Sequence, residues 1–240
     1  MQFHLLPTLD TMYNLYLKPR NVQRFREDYL RLLQGERNAD MIMPIGQWNP
    51  MAKEHILGKI SALQKLNAEP YVAEILKGIN REQPSLQDDR NIGVSICIAD
   101  DLMGGWTNRF TTDYDNRFKI NALIQRNFCT PLFWSGEDYD VDKIRTRTLE
   151  ACYRTLYWLS HSKPLTLADH LQQELFVAQK SGLTLAKKGR ETLTAFYELH
   201  KNKADYPLIF SYFYGDEACR SLNFPIFGLE QGWLQSPYQI

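Results

Sequence analysis

Between Asp100 and Trp134 the chain gathers most of the side chains that could hold or transform a ligand, in the run DDLMGGWTNRFTTDYDNRFKINALIQRNFCTPLFW. Asp100 and Asp101 follow an apolar stretch ending at Ala99. Gly104 and Gly105 then let the backbone turn sharply or approach a ligand closely. Asn108, Arg109, Asp113 and Arg117 supply directional donors and acceptors, and Trp106 supplies a rigid stacking wall. Aromatic framing around a few polar groups is the composition of a binding pocket. From Asn91 to Ser160 there are six arginines and two lysines. A solvated surface has no strong reason to prefer guanidinium so heavily. Bidentate recognition of a carboxylate or phosphate does, and so does a buried ion-pair network. The Gly-Gly pair fits neither GxxxxGKS/T nor GxGxxG, so no nucleotide cofactor is assigned.

A second constellation lies on the helix expected over KIRTRTLEACYRTLYWLSH. At about 100° per residue, Arg147, Glu150, Arg154, Tyr157 and His161 fall on one face roughly 80° wide. Ile144, Thr148, Ala151, Cys152, Thr155 and Leu159 fall opposite, which marks the core side. A glutamate between two arginines is held ionised by both, so it orients arginines better than it moves protons. Tyr157, His161 and Asp113 are therefore the candidate acid–base groups, and Arg109, Arg117, Arg147 and Arg154 the candidate anion holders. The bland alternative is an exposed helix face carrying ordinary i,i+3 and i,i+4 pairs, each contributing about 0.2–0.5 kcal/mol.

Other chemistries are poorly supported. His170 and Glu174 have the i,i+4 spacing of two metal ligands, but no third ligand accompanies them, so no metal site is assigned. Cys97, Cys129, Cys152 and Cys219 form no CxxC pair and sit among apolar neighbours, as reduced buried cysteines do. There is no GxSxG. Lysine plus arginine equals aspartate plus glutamate, 28 each, which argues against a nucleic-acid partner. No apolar run reaches the roughly 18–20 residues of a membrane span, and the N-terminus lacks a leader pattern, so a cytoplasmic protein without membrane contact is expected.

The elements that must position these groups read as helix-rich α+β, with a small mixed sheet of about four short strands. The apolar fraction of 44% and charged fraction of 23% are those of a globular chain. One domain over 1–240 is expected, with any subdivision near the polar connector 81–91. Helices are expected after Asn21, Asn49–Pro50, Pro70, Asp140 or Asp142, and Thr166, and over Leu185–His200. Strands are expected at Met41–Ile45, Ile92–Ala99, Cys129–Trp134 and Leu208–Tyr214. The aromatic tail from Tyr206 reads as core or, more sharply, as a homo-oligomer interface around Trp233 and Tyr238. Two functions fit: a pocket for a small anionic molecule, with or without catalysis, or an interaction protein whose Asp/Arg segment is structural.

Overall fold

The computed structural model describes residues 1–35, 40–82, 89–102, 107–183 and 191–234. Strand β1 (Gln2–Leu5) leads into helix α1 (Leu9–Leu17), then a π-helical turn (Arg24–Tyr29) continuous with α2 (Leu30–Gln34). Helices α3 (His55–Lys65) and α4 (Ala68–Glu82) precede β2 (Asn91–Val94) and β3 (Cys97–Ala99). Helices α5 (Arg109–Phe118) and α6 (Asn121–Gln125) follow, then β4 (Phe128–Cys129) and β5 (Leu132–Trp134). The chain ends in α7 (Val141–Ser160), α8 (Leu167–Ser181), α9 (Glu191–His200) and α10 (Tyr206–Ser221). The fold is α+β and helix-rich.

Strand β2 lies parallel between β1 and β4, and β3 lies parallel to β5. Ser95 N donates to Cys129 O and Cys97 N to Pro131 O, both at 3.0 Å, joining the two ladders into one strip. Pro131 has no N–H to give, so the ladder breaks beside it. Parallel strands joined through helices are covered on both faces. Accordingly Ile92–Ala99 is buried throughout and shows no polar–apolar alternation. Asn80 closes the free edge of β1: its amide accepts from Phe3 N and donates to Phe3 O, each at 2.9 Å, as a neighbouring strand would.

Two apolar cores result. The first packs the strands against α1, α3, α4 and α7, and it draws on both sides of the 81–91 connector, from Phe3 and Leu63 to Ile98 and Cys152. The second is aromatic: Tyr114 and Phe118 of α5 meet Phe210, Phe213 and Tyr214 of α10, with Trp233 against Phe213. Trp233 is buried inside the fold, and Tyr238 lies outside the described residues. Gly232 crosses so close to α10 that a Cβ there would sit 2.3 Å from Phe213 O.

Several elements differ from the sequence expectation. Met41–Ile45 forms bends and turns, where Tyr29 Oη donates to Ile45 O at 3.0 Å. Leu208–Tyr214 is helix rather than strand, because Asp205 Oδ1 caps Leu208 N at 3.0 Å and Pro207 sits in the first turn. A helix buried all round reads like a buried strand in hydrophobicity alone. No local pattern marks β1 and α1; a tertiary contact, Glu69 Oε1 accepting from Thr8 N and Leu9 N, closes the start of α1. The Thr166–Asp169 capping box of α8 is present in full, with Gly182 left-handed at its end. Thr166→Ala should therefore cost about 1 kcal/mol in urea unfolding, and an unchanged midpoint would show that the box contributes nothing.

Candidate functional site

The strip ends where β3 and β5 stop side by side, the edge at which parallel sheets commonly hold ligands. Asp100 follows β3 and points inward. Its Oδ1 lies 2.9 Å from His55 Nε2 and accepts from Ser135 Oγ at 2.9 Å, while Asn49 Nδ2 donates to Oδ2 at 3.3 Å. Burial pushes the Asp100 carboxyl up, but His55, Ser135 and Asn49 outweigh it and hold the group below its ordinary value. Ser135 is fully buried and donates to a carboxylate, so it is a fastening rather than a nucleophile. Asp101 shares the Ser135 hydroxyl at 3.2 Å and also accepts from Gly136 N at 2.7 Å and from Arg109 Nη1 at 2.9 Å.

Helix α5 starts at Arg109 because Asn108 caps it, its Oδ1 accepting from Thr111 N at 3.1 Å. Asn108 is therefore committed to the helix end. Arg109 lies over the Trp134 ring, with Cζ 5.1 Å from the centroid, and one turn later Asp113 points to the same side. Arg109, Asp113, Arg117, Arg147, Phe110, Trp134, Tyr214 and Leu234 line a cleft of about 290 Å³. The sequence places the principal pocket at Asp100–Arg117. Another open groove, of about 390 Å³, lies between α1 and the turn of helix around Glu27–Leu32. That groove is walled by exposed side chains such as the Lys18–Asp28 pair, whereas the smaller cleft is where the arginines converge. Gly104, Gly105 and Trp106 lie outside the described residues.

Behind the cleft, Arg117 and Arg154 share one glutamate whose sequence spacing suggests only a metal ligand. Glu174 Oε1 accepts from Arg154 Nε at 2.7 Å; its Oε2 accepts from Arg154 Nη2 at 2.8 Å and Arg117 Nη1 at 3.0 Å. Gln173 Nε2 adds a bond to Oε1 at 2.9 Å. With both oxygens engaged and the side chain 2% exposed, Glu174 has no lone pair facing an ion. Burial pushes its carboxyl up, yet Arg154, Gln173 and Arg117 overcome this and bring it down to about 2. Glu150 is the loosest member of the group, 3.6 Å from Arg154 and 3.8 Å from Arg117.

The expected single stripe on α7 is thus divided. Arg147 turns from Glu150 to grip Glu137 with two bonds, at 2.6 and 2.8 Å, and Leu132 O at 2.7 Å. Arg154 is 3% exposed, so this face is not the solvated surface of the bland alternative; α7 is buried on both sides from Ala151 to Tyr157. Tyr157 and His161 stack on each other, with centroids 4.2 Å apart, and both contact Phe176. At 1.5 Å per residue, His161 sits roughly 21 Å along the helix from Arg147. The structure does not bring these two to the cleft, and burial raises the Tyr157 hydroxyl. Asp113 does reach it. Burial pushes its carboxyl up, but Arg117, the Tyr214 hydroxyl at 2.7 Å and Arg154 hold it below the ordinary value.

Around the cleft the formal charges balance. Arg109 pairs with Asp101, Arg147 and Lys143 with Glu137, and Arg117 and Arg154 with Asp113, Glu150 and Glu174. Among the described residues no group of three or more His, Cys, Asp or Glu is arranged to hold a metal, and no helix is long and apolar enough to cross a membrane. No known family model, curated protein or solved structure matches this chain.

Proposed function

We propose that the cleft beside β5 binds a small molecule carrying a carboxylate or phosphate, captured by Arg109 and seated against Phe110, Trp134 and Tyr214. The observation that carries this reading is the state of Arg109. Among the described residues only its Nη1 is engaged, and its side chain is 51% exposed. The guanidinium lies over Trp134, with Cζ 5.1 Å from the ring centroid, and its Nε–Nη2 edge has no partner among the described residues. A planar two-donor edge held in place is the recognition element for a carboxylate or phosphate. Arg117 and Arg147 stiffen the wall, but their own donors are spent on Glu174, Asp113 and Glu137. The site supports binding better than catalysis. The acid–base candidate that reaches it, Asp113, is an ionised carboxylate already hydrogen-bonded twice.

A second reading, a network that only fastens α5, α7 and α8 together, is favoured by the fact that every arginine there has a carboxylate partner. Thermal shift separates the two. Inorganic phosphate, acetate and 3-phenylpropionate are titrated against the protein and against Arg109→Ala. At ten times its Kd a true ligand adds about 1.4 kcal/mol, a rise of roughly 3–6 °C in Tm for a chain this size. The variant should lose that rise. No rise with any of the three, or one that Arg109→Ala keeps in full, favours the fastening role.

A further inference from the structure

We infer that the molecule held in this cleft is a zwitterion, an α-amino acid with an apolar side chain; the inference rests on the capture of a carboxylate by Arg109. Three observations point the same way. First, the ion pairs around the cleft already balance five cationic and five carboxylate side chains. A bare anion would add an uncompensated charge to a half-buried site, whereas a ligand carrying both signs would not. Second, the cleft offers one free group of each sign. Arg109 presents its Nε–Nη2 edge, and Asp113 takes both its hydrogen bonds, from Arg117 Nε at 2.8 Å and Tyr214 Oη at 2.7 Å, on Oδ2. Oδ1 of Asp113 receives none from any described residue, and 21% of the side chain is exposed. Third, both groups face the same space. Arg109 and Asp113 are i,i+4 on one face of α5 and both line the cleft. The ammonium is assigned to Asp113 Oδ1 and the carboxylate to the Arg109 edge.

The rest of the lining selects the side chain. Phe110, Trp134, Tyr214 and Leu234 form an apolar wall with no charged group of its own. A cleft of about 290 Å³ suits a single amino acid and is at the lower limit of drug-sized pockets. Specificity follows from groups left unpaired when the wrong ligand enters: without an ammonium, Asp113 Oδ1 loses a partner, and without a carboxylate, Arg109 does.

The test uses matched ligands on the full-length protein, by isothermal titration calorimetry. L-phenylalanine is compared with 3-phenylpropionate, which lacks the ammonium, and with phenethylamine, which lacks the carboxylate. L-leucine is compared with 4-methylpentanoate, and inorganic phosphate is run alongside. The expected result is that at least one amino acid binds tenfold or more tightly than its truncated counterparts. Asp113→Asn should then abolish the preference over the des-amino acid, and Arg109→Ala the preference over the amine. If a des-amino acid or phosphate binds as well as the amino acid or better, the zwitterion is overturned while anion capture stands. Phenethylamine binding as well as phenylalanine overturns both, and so does no binding by any member of the set. These comparisons are made on the unmodified protein, so they decide the matter even where a variant fails to fold.

Discussion

Glu174→Ala is expected to destabilise the protein by about 3–5 kcal/mol, because it removes one partner of a buried ion network and leaves two guanidinium groups without their shared acceptor. Glu174 is 2% exposed and binds Arg154 through both oxygens and Arg117 through one. Arg154 has no close alternative, since its nearest other carboxylate, on Glu150, lies 3.6 Å away without a hydrogen bond. The same reasoning assigns Glu150→Ala a loss of only about 1 kcal/mol: both arginines keep Glu174, and Arg117 keeps Asp113. Glu174→Gln should fall between these values, because the amide retains an acceptor for one arginine but loses the charge. Urea unfolding of the three variants at pH 7 measures the order. Losses below about 1 kcal/mol for both alanine variants would show that the network is solvated and behaves as surface pairs do.

The prominence of Glu174 explains what the sequence reveals of this site and what it conceals. Helical spacing places Glu150 and Arg154 on one face of α7, and the structure keeps them together. The same spacing joins Arg147 to Glu150, yet Arg147 pairs with Glu137 beyond the end of β5, a contact fixed by the loop and invisible to periodicity. Glu174 lies on a different helix, twenty residues from Arg154, and its spacing to His170 suggests a metal pair. What excess arginine can show is that carboxylates must be found somewhere; it cannot show where. Asn108 reads as a ligand group because polar residues before a helix and polar residues in a loop look alike until the helix is known to begin at Arg109.

The fold is legible where strand and helix signals are local. Ile92–Ala99 and Cys129–Trp134 are short, mainly apolar runs bounded by breakers, and both hold strands, each interrupted once, the second at Pro131. Thr166 and Gly182 bracket α8 by capping chemistry alone. Elements held by distant groups are not legible. β1 is four residues long and is closed by Asn80 from α4, and α1 begins under Glu69 from the same helix. Leu208–Tyr214 resembles a strand because burial on all sides erases the period that separates helix from strand, and the deciding residue, Asp205, stands just outside the apolar run.

His170 gives the protein a pH dependence that the carboxylates alone would place lower on the scale. The ring is 6% exposed, lies edge-on to Phe118 at 4.9 Å, and has no partner at Nδ1 among the described residues. Burial lowers its pKa from 6.5 to about 4, against the opposite pull of Asp169 and Glu174. The folded state therefore keeps the neutral ring, while the unfolded chain takes up a proton below about 6.5. The resulting stability is fully present above pH 6.5 and is lost as pH falls from there towards 4. That interval corresponds to about 3 kcal/mol in all. Glu174 acts in the same direction in a lower window, since its contribution is complete above about 4.5 and is lost only as pH falls towards 2. Between pH 6.5 and 4.5 the histidine contribution can thus be read apart from that of Glu174. Urea unfolding of the protein and of His170→Leu at pH 7, 6, 5 and 4.5 should show the parent losing stability over this range by about 2–3 kcal/mol more than the variant. A difference that stays constant from pH 7 to 4.5 would mean that His170 protonates as readily in the fold as in the unfolded chain.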